Sequence, residues 1–366
     1  MRGASHSQDE LFCTLSIEEL IPQDHPLRRI RTLADRALQR LEPRFGQMYS
    51  GQGRPGIAPE RLLRALLLQI LYGYRSERRT MAEMRYNFAF RWFVGLSMGE
   101  DPWDVTVFTK NRRRFMENDV AQEWLKAIVL EAREQQLLDE EHFSVDGTLI
   151  QAWVSEKSYQ PKKDPPAPGA GTGRRGELLK RDLYESTTDP DAQLARKNCL
   201  NPWMLAYRGH LLTENRTGLI VASEISRAHQ TSERENGLKL LQRVRTVLRK
   251  RGPRQRMTVG ADKAYHECDF VEGARHLNIE AHIPAYRSRR TDLIGDVVRK
   301  TDAYQQSIRK RKWIERCFAW LKAPGREGRT RFRGLSRVAW SFTFAAGVYN
   351  LLRIANYQAQ ANKNPA

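Results

Sequence analysis

The hydrophobic residues of this chain change their spacing near residue 140, from a helical period to the period of β-strands. In the earlier part, the segment from Pro59 to Tyr74 places its leucines on one side of a helix, and Pro59 suits a first helical turn. Two more helices are predicted, from Thr80 to Val94 and from Val105 to Met116. Residues 1–120 are therefore predicted to form an all-α domain.

Short apolar segments in the later part have the length and composition of strands, namely Phe143–Ile150, Trp203–Leu212, Leu219–Ile225 and Met257–Ala261. Residues 214–218 (ENRTG) supply a hairpin turn between the second and third of them. Ser232 and Glu235 have the spacing of a capping box that opens a helix running to Leu248. This order predicts an α/β domain over residues 121–357, in which an antiparallel start is followed by a helical crossover.

Two segments are predicted to lack fixed structure. Residues 156–176 are rich in proline and glycine and are predicted to form a flexible surface loop. Residues 358–366 are predicted to be a disordered tail. By contrast, the uncharged stretch 338–352 is shorter than the roughly 20 apolar residues that a membrane span needs, and it is predicted to be a buried helix.

The charge of the chain predicts a polyanionic partner. Lys and Arg number 62 against 43 Asp and Glu, so the formal net charge is +19 and the isoelectric point is about 10.0. These cations are spread through every segment and interleaved with aromatic residues, whereas a membrane-binding protein would concentrate them on an amphipathic helix. We therefore expect a nucleic-acid partner and no membrane partner.

The third predicted helix carries a cluster of cations, formed by Lys110, Arg112, Arg113 and Arg114. Three helices that end in a basic one suggest a helix-turn-helix-like domain that binds DNA. The simpler interpretation is a solvated basic face without a partner. The sequence leaves both open.

The cysteines and histidines argue against other kinds of site. Cys13, Cys199, Cys268 and Cys317 are far apart and form no CxxC pair, which argues against a zinc site and a secreted disulfide scaffold. The eight histidines show no metal-ligand spacing, and no glycine-rich segment has the pattern of a nucleotide-binding loop. The N-terminus lacks the apolar run of a signal peptide, so the predicted location is the cytoplasm.

Two aspartates stand where apolar strands are predicted. Asp146 lies within FSVDGT, and Asp262 ends the strand in TVGADKAY. A carboxylate in such a place is paired, exposed or bound to a cation. Taken singly, each is more simply interpreted as a turn former at the end of a strand. Asp189 and Asp191, in TTDPDAQ, also resemble a turn.

A third acid, Glu315, lies in the predicted helix RKWIERCFAWLK. At 100° per residue, Arg311, Glu315 and Lys322 fall within about 40° of one another, beside an apolar side of the helix. The simpler interpretation is an ordinary Arg–Glu pair one turn apart. Carboxylates from two strands and one helix can instead hold two Mg²⁺ ions about 4 Å apart, while Lys263, Arg311 and Lys322 bind the phosphate backbone.

The blocks FSVDGTLIQAW, ENRTGLIVASEISRAH, VGADKAY and WIERCFAWLK, in this order, resemble those of bacterial insertion-sequence 5 family transposases. The N-terminal helical segment and the block that follows Glu315, with Arg329 and Arg331 among its cations, resemble them as well. The resemblance implies a ribonuclease-H-like mixed sheet with flanking helices behind the all-α domain. It also implies that Asp146, Asp262 and Glu315 are the catalytic acids, which bind two Mg²⁺ ions, with Mn²⁺ as a substitute. One departure is Ile308, where related transposases have tyrosine.

The function that the resemblance implies is cleavage of the ends of the protein's own insertion sequence and their joining to target DNA. The partners would be double-stranded DNA, with its terminal inverted repeats, and a second copy of the chain when assembled on that DNA. A metal-dependent nuclease without joining activity would share the three acids. A non-catalytic DNA-binding protein derived from such an element is the other alternative.

Overall fold

The computed structural model describes residues 16–49, 52, 56–139, 141–167, 170–171, 180–229, 231–248, 257–285 and 292–363. Its helices are α1 (Ile17–Leu20), α2 (Pro26–Met48), α3 (Pro59–Leu71), α4 (Glu77–Tyr86), α5 (Phe88–Val94), α6 (Val105–Glu117), α7 (Val120–Glu134), α8 (Lys180–Leu183), α9 (Ser232–Leu248), α10 (Cys268–His276), α11 (Asp296–Arg299), α12 (Asp302–Arg311), α13 (Trp313–Lys322) and α14 (Leu335–Lys363). Its strands are β1 (His142–Gln151), β2 (Tyr159–Pro161), β3 (Tyr184–Ser186), β4 (Gln193–Ala195), β5 (Met204–Glu214), β6 (Ile220–Arg227), β7 (Met257–Gly260) and β8 (Ile279–His282).

The main sheet is mixed and contains six strands. Its central strand, β1, pairs antiparallel with β5 and parallel with β7. Beyond β7 lies β8, again parallel, and beyond β5 lies β6, antiparallel. The short β4 pairs with the first residues of β5 on the same edge as β6. This topology confirms the ribonuclease-H-like mixed sheet that the resemblance implies.

Helices cover both faces of the sheet because its strands are apolar on both sides. In β5, Leu211 packs with Ile314 and Phe342 of α13 and α14, whereas the next residue, Leu212, packs in the cluster that contains Leu240 of α9. Successive side chains of a strand point to opposite faces, so one strand contributes to two cores. The sheet thereby holds α9 against one face and α12 to α14 near the other.

The N-terminal helices do not have a core of their own. Buried residues of α2, α3 and α7 share one hydrophobic cluster with Trp340, Phe344 and Val348 of α14, near the end of the chain. The contact is close, since a β-carbon added at Gly347 of α14 would lie 2.4 Å from Nε1 of Trp124 in α7. The predicted boundary at residue 120 therefore falls within a continuous core.

Several local predictions need correction. The helix predicted from Thr80 to Val94 is broken at Asn87, whose side chain accepts a hydrogen bond from the backbone N–H of Phe90 and caps α5. Ser232 forms no capping box, because its hydroxyl donates to the backbone carbonyl of His229. The helix predicted at residues 338–352 is confirmed as part of α14, which is buried over most of that stretch.

The two segments predicted to lack structure are partly regular. Within residues 156–176, β2 pairs with β3, and this pairing gives the start of the segment a fixed conformation. Residues 168–169 and 172–179 lie outside the described residues. The predicted tail at 358–366 is helical as far as Lys363, because α14 continues through it, and residues 364–366 are not described.

Candidate active site

Asp146 lies on β1, and Asp262 lies just beyond the end of the adjacent parallel strand β7. The last residues paired between β1 and β7 are Ser144 and Gly260, and each aspartate is two residues farther along its chain. Neighbouring strands are about 4.8 Å apart, and residues two apart on a strand share a face. The shared register therefore brings the two predicted acids together at the carboxyl end of these strands.

The surroundings of the Asp146 carboxyl group disfavour its ionised form. It accepts a hydrogen bond of 2.8 Å from the backbone N–H of Gly147. Burial raises the pKa of Asp146 to about 7, and the negative charges of Asp262 and Glu233 add to this, while Gly147 and Arg311 act against it. A cation beside Asp146 would relieve both the burial and the repulsion.

Asp262 stands at the point where β7 gives way to a short 3₁₀ turn, Lys263–Tyr265. One of its carboxylate oxygens accepts a hydrogen bond of 2.8 Å from the backbone N–H of Ala264, which fixes the side chain as the cap of that turn. Its other oxygen has no hydrogen-bond donor among the described residues, so it remains available to a ligand.

Glu315 is exposed in the first turn of α13. The sequence predicted one helix through Arg311 and Glu315, whereas the structure has two, α12 and α13, separated only by Lys312, whose backbone angles are helical. Within the described parts of the chain, no three His, Cys, Asp or Glu side chains are arranged closely enough to hold a metal ion. The arrangement thus brings together the two aspartates, and the place of Glu315 beside them stays a prediction.

The residues that flank Glu315 nevertheless act on Asp146. Arg311 lowers the pKa of Asp146, and Asp146 in turn raises the pKa of Lys322 against the larger, opposite effects of burial and of Lys197. Both α12 and α13 pack against β1. Ile308, where related transposases have tyrosine, packs against the hydrophobic cluster that contains the buried residues of β7 and α9.

An acid that the sequence analysis did not single out, Glu233, belongs to this site. It lies in the first turn of α9 and forms an ion pair with Arg208 of β5. Burial raises the pKa of Glu233, opposed by Arg208, and the charge of Asp262 raises it further. The only sequence signal for Glu233 is its position directly after the third main strand, at the start of a helix.

The hydroxyl group of Tyr265 lies buried beside the acids. The side chain is fully buried, and its hydroxyl has no hydrogen-bond partner among the described residues. Burial raises the pKa of Tyr265 well above its usual range, and the charges of Glu233, Asp146 and Asp262 contribute. Asp146 and Asp262 each keep one carboxylate oxygen without a hydrogen-bond donor among the described residues, and carboxylate oxygens suit a hard divalent cation such as Mg²⁺.

The cations predicted to bind phosphate near the acids are available to do so. Lys263 and Lys322 are exposed, and Arg311 is partly exposed. Arg329 is also exposed, and its guanidinium lies 4.7 Å from the ring centroid of Trp153, which is 45% exposed. An isolated bridge between Gln151 and Arg329 joins this pair to the end of β1.

Two other predicted DNA-binding residues have internal partners. Arg112 is buried, forms an ion pair with Glu77 and lies over the ring of Phe332, so it does not belong to an exposed basic face. Arg331 donates hydrogen bonds to the backbone carbonyl of Arg75 and to the side chain of Gln69. The sequence groups Arg112 with the neighbouring cations of α6, but it does not reveal that Glu77 and Phe332 cover this side of the helix.

The remaining cations of α6 are exposed, namely Lys110, Arg113 and Arg114. Arg113 pairs with Glu117 one turn away, and Arg114 lies over the ring of Tyr49. The connection from α5 to α6 spans residues 95–104, which is longer than the three- to four-residue turn of a helix-turn-helix. This connection is therefore not the tight turn of a helix-turn-helix, and DNA binding by α6 stays a prediction.

The aspartates of TTDPDAQ are structural, as the sequence suggested. Asp189 accepts a hydrogen bond of 2.5 Å from the hydroxyl of Tyr207, and Asp191 accepts one of 3.0 Å from the backbone N–H of Leu335. Together they hold the start of α14.

Among the described residues, the helices are all too short or too polar to span a membrane.

Comparison with protein families gives two matches. Residues 15–114 match a transposase domain (DUF772), and residues 138–351 match the transposase DDE domain. No curated protein matches the chain.

Among solved structures, the chain is similar to complexes of the Mos1 transposase. The paired-end complex with the left transposon end is 13% identical, with 78% of this chain and 86% of that chain covered and a TM-score of 0.20. The mariner paired-end complex with Mn is 14% identical, covers 90% and 87%, and has a TM-score of 0.22. The strand transfer complex is 14% identical, covers 78% and 84%, and has a TM-score of 0.22.

Proposed function

Because the chain belongs to the transposase DDE domain family, we propose that it cleaves the ends of its own insertion sequence and joins them to target DNA. The proposed subgroup is the insertion-sequence 5 family, on the motif blocks described above. The proposed catalytic and metal-binding acids are Asp146, Asp262 and Glu315, with two Mg²⁺ ions or Mn²⁺ in their place.

The observation that carries this proposal is the parallel register of β1 and β7, in which Asp146 and Asp262 each lie two residues beyond the last pair, Ser144 and Gly260. Two carboxylates that are 116 residues apart in the sequence lie side by side where the pairing of these inner strands ends, and Asp146 is partly buried there. Structural aspartates at strand ends have no need of such a partner, and the repulsion between them costs free energy.

Divalent ions held by these acids would lower the pKa of an attacking water or 3′-hydroxyl and stabilise the leaving oxygen. The protein's own contribution is to place the carboxylates. Asp146 is fixed by the N–H of Gly147, and Asp262 is fixed by the N–H of Ala264. Above pH 7 Asp146 is ionised in most molecules, since burial has raised its pKa to about 7.

Glu315 is proposed to join the aspartates when DNA is bound. Arg311 precedes it and Lys322 follows it, and both act electrostatically on Asp146, so this side of the α12–α13 segment faces β1. A phosphate bound between these cations and Lys263 would hold this segment beside the acids. The proposed turning point of α13 is Lys312, the one residue between α12 and α13.

The partners proposed are the terminal inverted repeats of the element, target DNA and a second copy of the chain. Two ends must be cut for an element to move, and a homodimer assembled on DNA would supply one active site for each. Lys110, Arg113 and Arg114 of α6 are proposed to contact the end sequence, while the cations near the acids grip phosphates.

The experiment that tests this function uses purified protein, Mg²⁺ and a labelled DNA fragment that carries the terminal repeats flanking its gene. We expect nicks at the repeat ends and then products in which the labelled 3′ end is joined to a target plasmid. Cleavage without joined product would indicate the metal-dependent nuclease instead. Specific binding without cleavage, in both Mg²⁺ and Mn²⁺, would indicate the non-catalytic DNA-binding protein.

A further inference from the structure

A cavity of about 210 Å³ lies between the end of α3 and the segment 325–331, which follows α13. Its lining includes the aromatic rings of Tyr74 and Trp153 and the cationic side chains of Arg75, Arg326 and Arg329. A water molecule occupies roughly 30 Å³ in the liquid, so this space suits a small ligand better than a single bridging water.

Hydrogen bonds between distant parts of the chain hold the two walls of this cavity together. Nε of Arg326 donates to the backbone carbonyl of Gly73 at 3.0 Å, and Nη1 of Arg331 donates to that of Arg75 at 2.8 Å. These bonds join the N-terminal helices to the segment that follows α13. The cavity is therefore built into the fold before any ligand arrives.

A buried amide in the wall of the cavity points to a ligand. Gln69 is 2% exposed, and its Nε2 has no hydrogen-bond partner within the described part of the chain. Its Oε1 is already engaged, because it accepts a hydrogen bond of 3.4 Å from Nη2 of Arg331. Buried polar groups are almost always paired in folded proteins. A ligand that offers a hydrogen-bond acceptor would supply the partner of Nε2.

The wall formed by Trp153 adds a surface for stacking. This side chain is 45% exposed, and the guanidinium of Arg329 lies 4.7 Å from its ring centroid. A nucleobase can stack on such a ring, while an adjacent guanidinium can bind the phosphate attached to it. An acceptor for Gln69, a flat ring for Trp153 and a negative charge for the arginines are all features of one nucleotide.

One carboxyl group, that of Glu327, also lines the cavity and would repel a phosphate if it were ionised. It is buried, and its Oε1 accepts a hydrogen bond of 2.7 Å from Oγ of Ser341. Burial raises the pKa of Glu327 to about 7, so near neutral pH it is uncharged in a large fraction of molecules. The exposed arginines at the cavity therefore dominate its charge.

The cavity is tied to the strand that carries Asp146. The backbone N–H of Gln151, the last residue of β1, donates to the carbonyl of Gly328 at 3.1 Å, and the carbonyl of Gln151 accepts from the N–H of Thr330 at 2.9 Å. Gln151 follows Asp146 by five residues, or about 17 Å along a strand. Since DNA advances roughly 3.4 Å per base pair, the cavity is within about five base pairs of the acids.

We propose that this cavity binds one DNA base that has left the double helix, stacked on Trp153 and hydrogen-bonded to Nε2 of Gln69. The inference rests on the proposed function, because it describes how the DNA substrate of that function is held, and the bound base would fix the element end relative to Asp146. A simple cation–aromatic pair would explain Trp153 and Arg329. It would not explain the buried amide of Gln69 or the cavity beside it.

The test is equilibrium binding of the full-length protein, in EDTA so that the DNA is not cut, to element ends with one mismatched base pair. The mismatch is moved through about the first ten base pairs, because a mismatched base costs less to extrude than a paired one. We expect one position at which the mismatch tightens binding by about fivefold or more. An abasic site at that position should abolish the gain, since no base is left to enter the cavity.

Substitutions connect this gain to the cavity. Trp153→Ala and Gln69→Leu should each lose it, while Trp153→Phe, which keeps an aromatic ring, should retain most of it. The matched control is Trp203→Ala. Trp203 is 50% exposed and lies 4.6 Å from the guanidinium of Arg196 in the same kind of pair, but it does not line this cavity. This control should keep the gain to within about twofold.

Two results would overturn the inference: no mismatch that tightens binding of the wild-type protein, or a gain that survives Trp153→Ala. The proposed function would still stand if the wild-type protein cut and joined these ends in Mg²⁺. The wild-type measurement does not depend on whether a variant folds. A wild-type protein that neither prefers element ends to scrambled DNA nor cuts them would overturn the inference and the proposed function together.

Discussion

Asp146 and Asp262 stand side by side, each two residues past the last pair of the parallel register between β1 and β7. That relationship follows from strand pairing, and it does not depend on the detailed position of either side chain. It places two acids where burial raises the pKa of Asp146 to about 7. Such a site is costly for the metal-free protein and well suited to binding a cation.

The raised pKa of Asp146 predicts a pH-dependent gain in stability for Asp146→Asn. Between pH 4 and pH 7 the folded protein keeps a proton that the unfolded chain, with an ordinary aspartate pKa, has lost, so the free energy of unfolding falls as pH rises. Asparagine does not titrate, so it removes this fall in the free energy of unfolding. In EDTA, Asp146→Asn should gain about 1–3 kcal/mol over wild type at pH 8 and less at pH 5. Urea unfolding at both values measures this, and an equal difference at the two would contradict it.

Gly347 is predicted to be essential for the packing of α14 on α7. A β-carbon there would lie 2.4 Å from Trp124 Nε1 and 3.1 Å from Ile128 Cδ1. Gly347→Ala should therefore lower the free energy of unfolding by about 1–3 kcal/mol. Gly46→Ala in α2 is the control, since nothing lies within 4 Å, and it should stabilise by about 0.5–1 kcal/mol. Equal effects of the two substitutions would show that the α7–α14 contact is looser than described.

Arg112 is predicted to act in folding rather than in DNA binding. Its side chain is 10% exposed and that of its partner Glu77 is 20% exposed, so Arg112→Ala leaves a poorly solvated carboxylate with only the more distant Arg331, at 3.7 Å, as its cation. The expected loss is about 2–4 kcal/mol in the free energy of unfolding. Arg113→Ala, at an exposed pair with Glu117, should cost less than about 0.5 kcal/mol. Similar melting temperatures for both variants would refute this assignment.

The two groups of exposed cations are predicted to divide the work of DNA binding. Lys110→Ala combined with Arg113→Ala should remove the preference for element-end DNA over scrambled DNA, because a helix can read bases in a groove. Arg311→Ala combined with Lys322→Ala should weaken binding to both DNAs by a similar factor. Affinities over a range of salt concentrations test this, and the salt dependence should become less steep in both variants. Equal losses on both DNAs from both pairs would mean that α6 is only another electrostatic surface.

The sequence predicted the elements that local pattern determines. The strands around Asp146 and Asp262 were predicted within a few residues, because buried strands are marked by short apolar runs. The predicted acids of these strands are neighbours, since the parallel pairing follows from the ribonuclease-H-like order. The sequence also shows the basic run in α6. It does not show which of these cations are buried by other segments.

The features that the sequence did not predict depend on contacts between distant segments. The close approach of Glu233 to β1 depends on the packing of α9 against that strand and on the absence of a side chain at Gly147. The break at Lys312 separates Arg311 from Glu315 within a run of residues that all suit a helix. The completion of the N-terminal core by α14 joins residues more than 200 positions apart. No local sequence pattern predicts these three features, because each of them depends on how distant segments pack in the folded chain.

The central claim is that Asp146, Asp262 and Glu315 act as one catalytic set. The most direct test is the single-turnover cleavage rate on element-end DNA in Mg²⁺ for wild type, Asp146→Asn, Asp262→Asn and Glu315→Gln, with DNA affinity measured in parallel. We predict that each variant loses at least about 1,000-fold in rate while its DNA affinity stays within a few-fold of wild type. A Glu315→Gln protein that cleaves at the wild-type rate would contradict the claim.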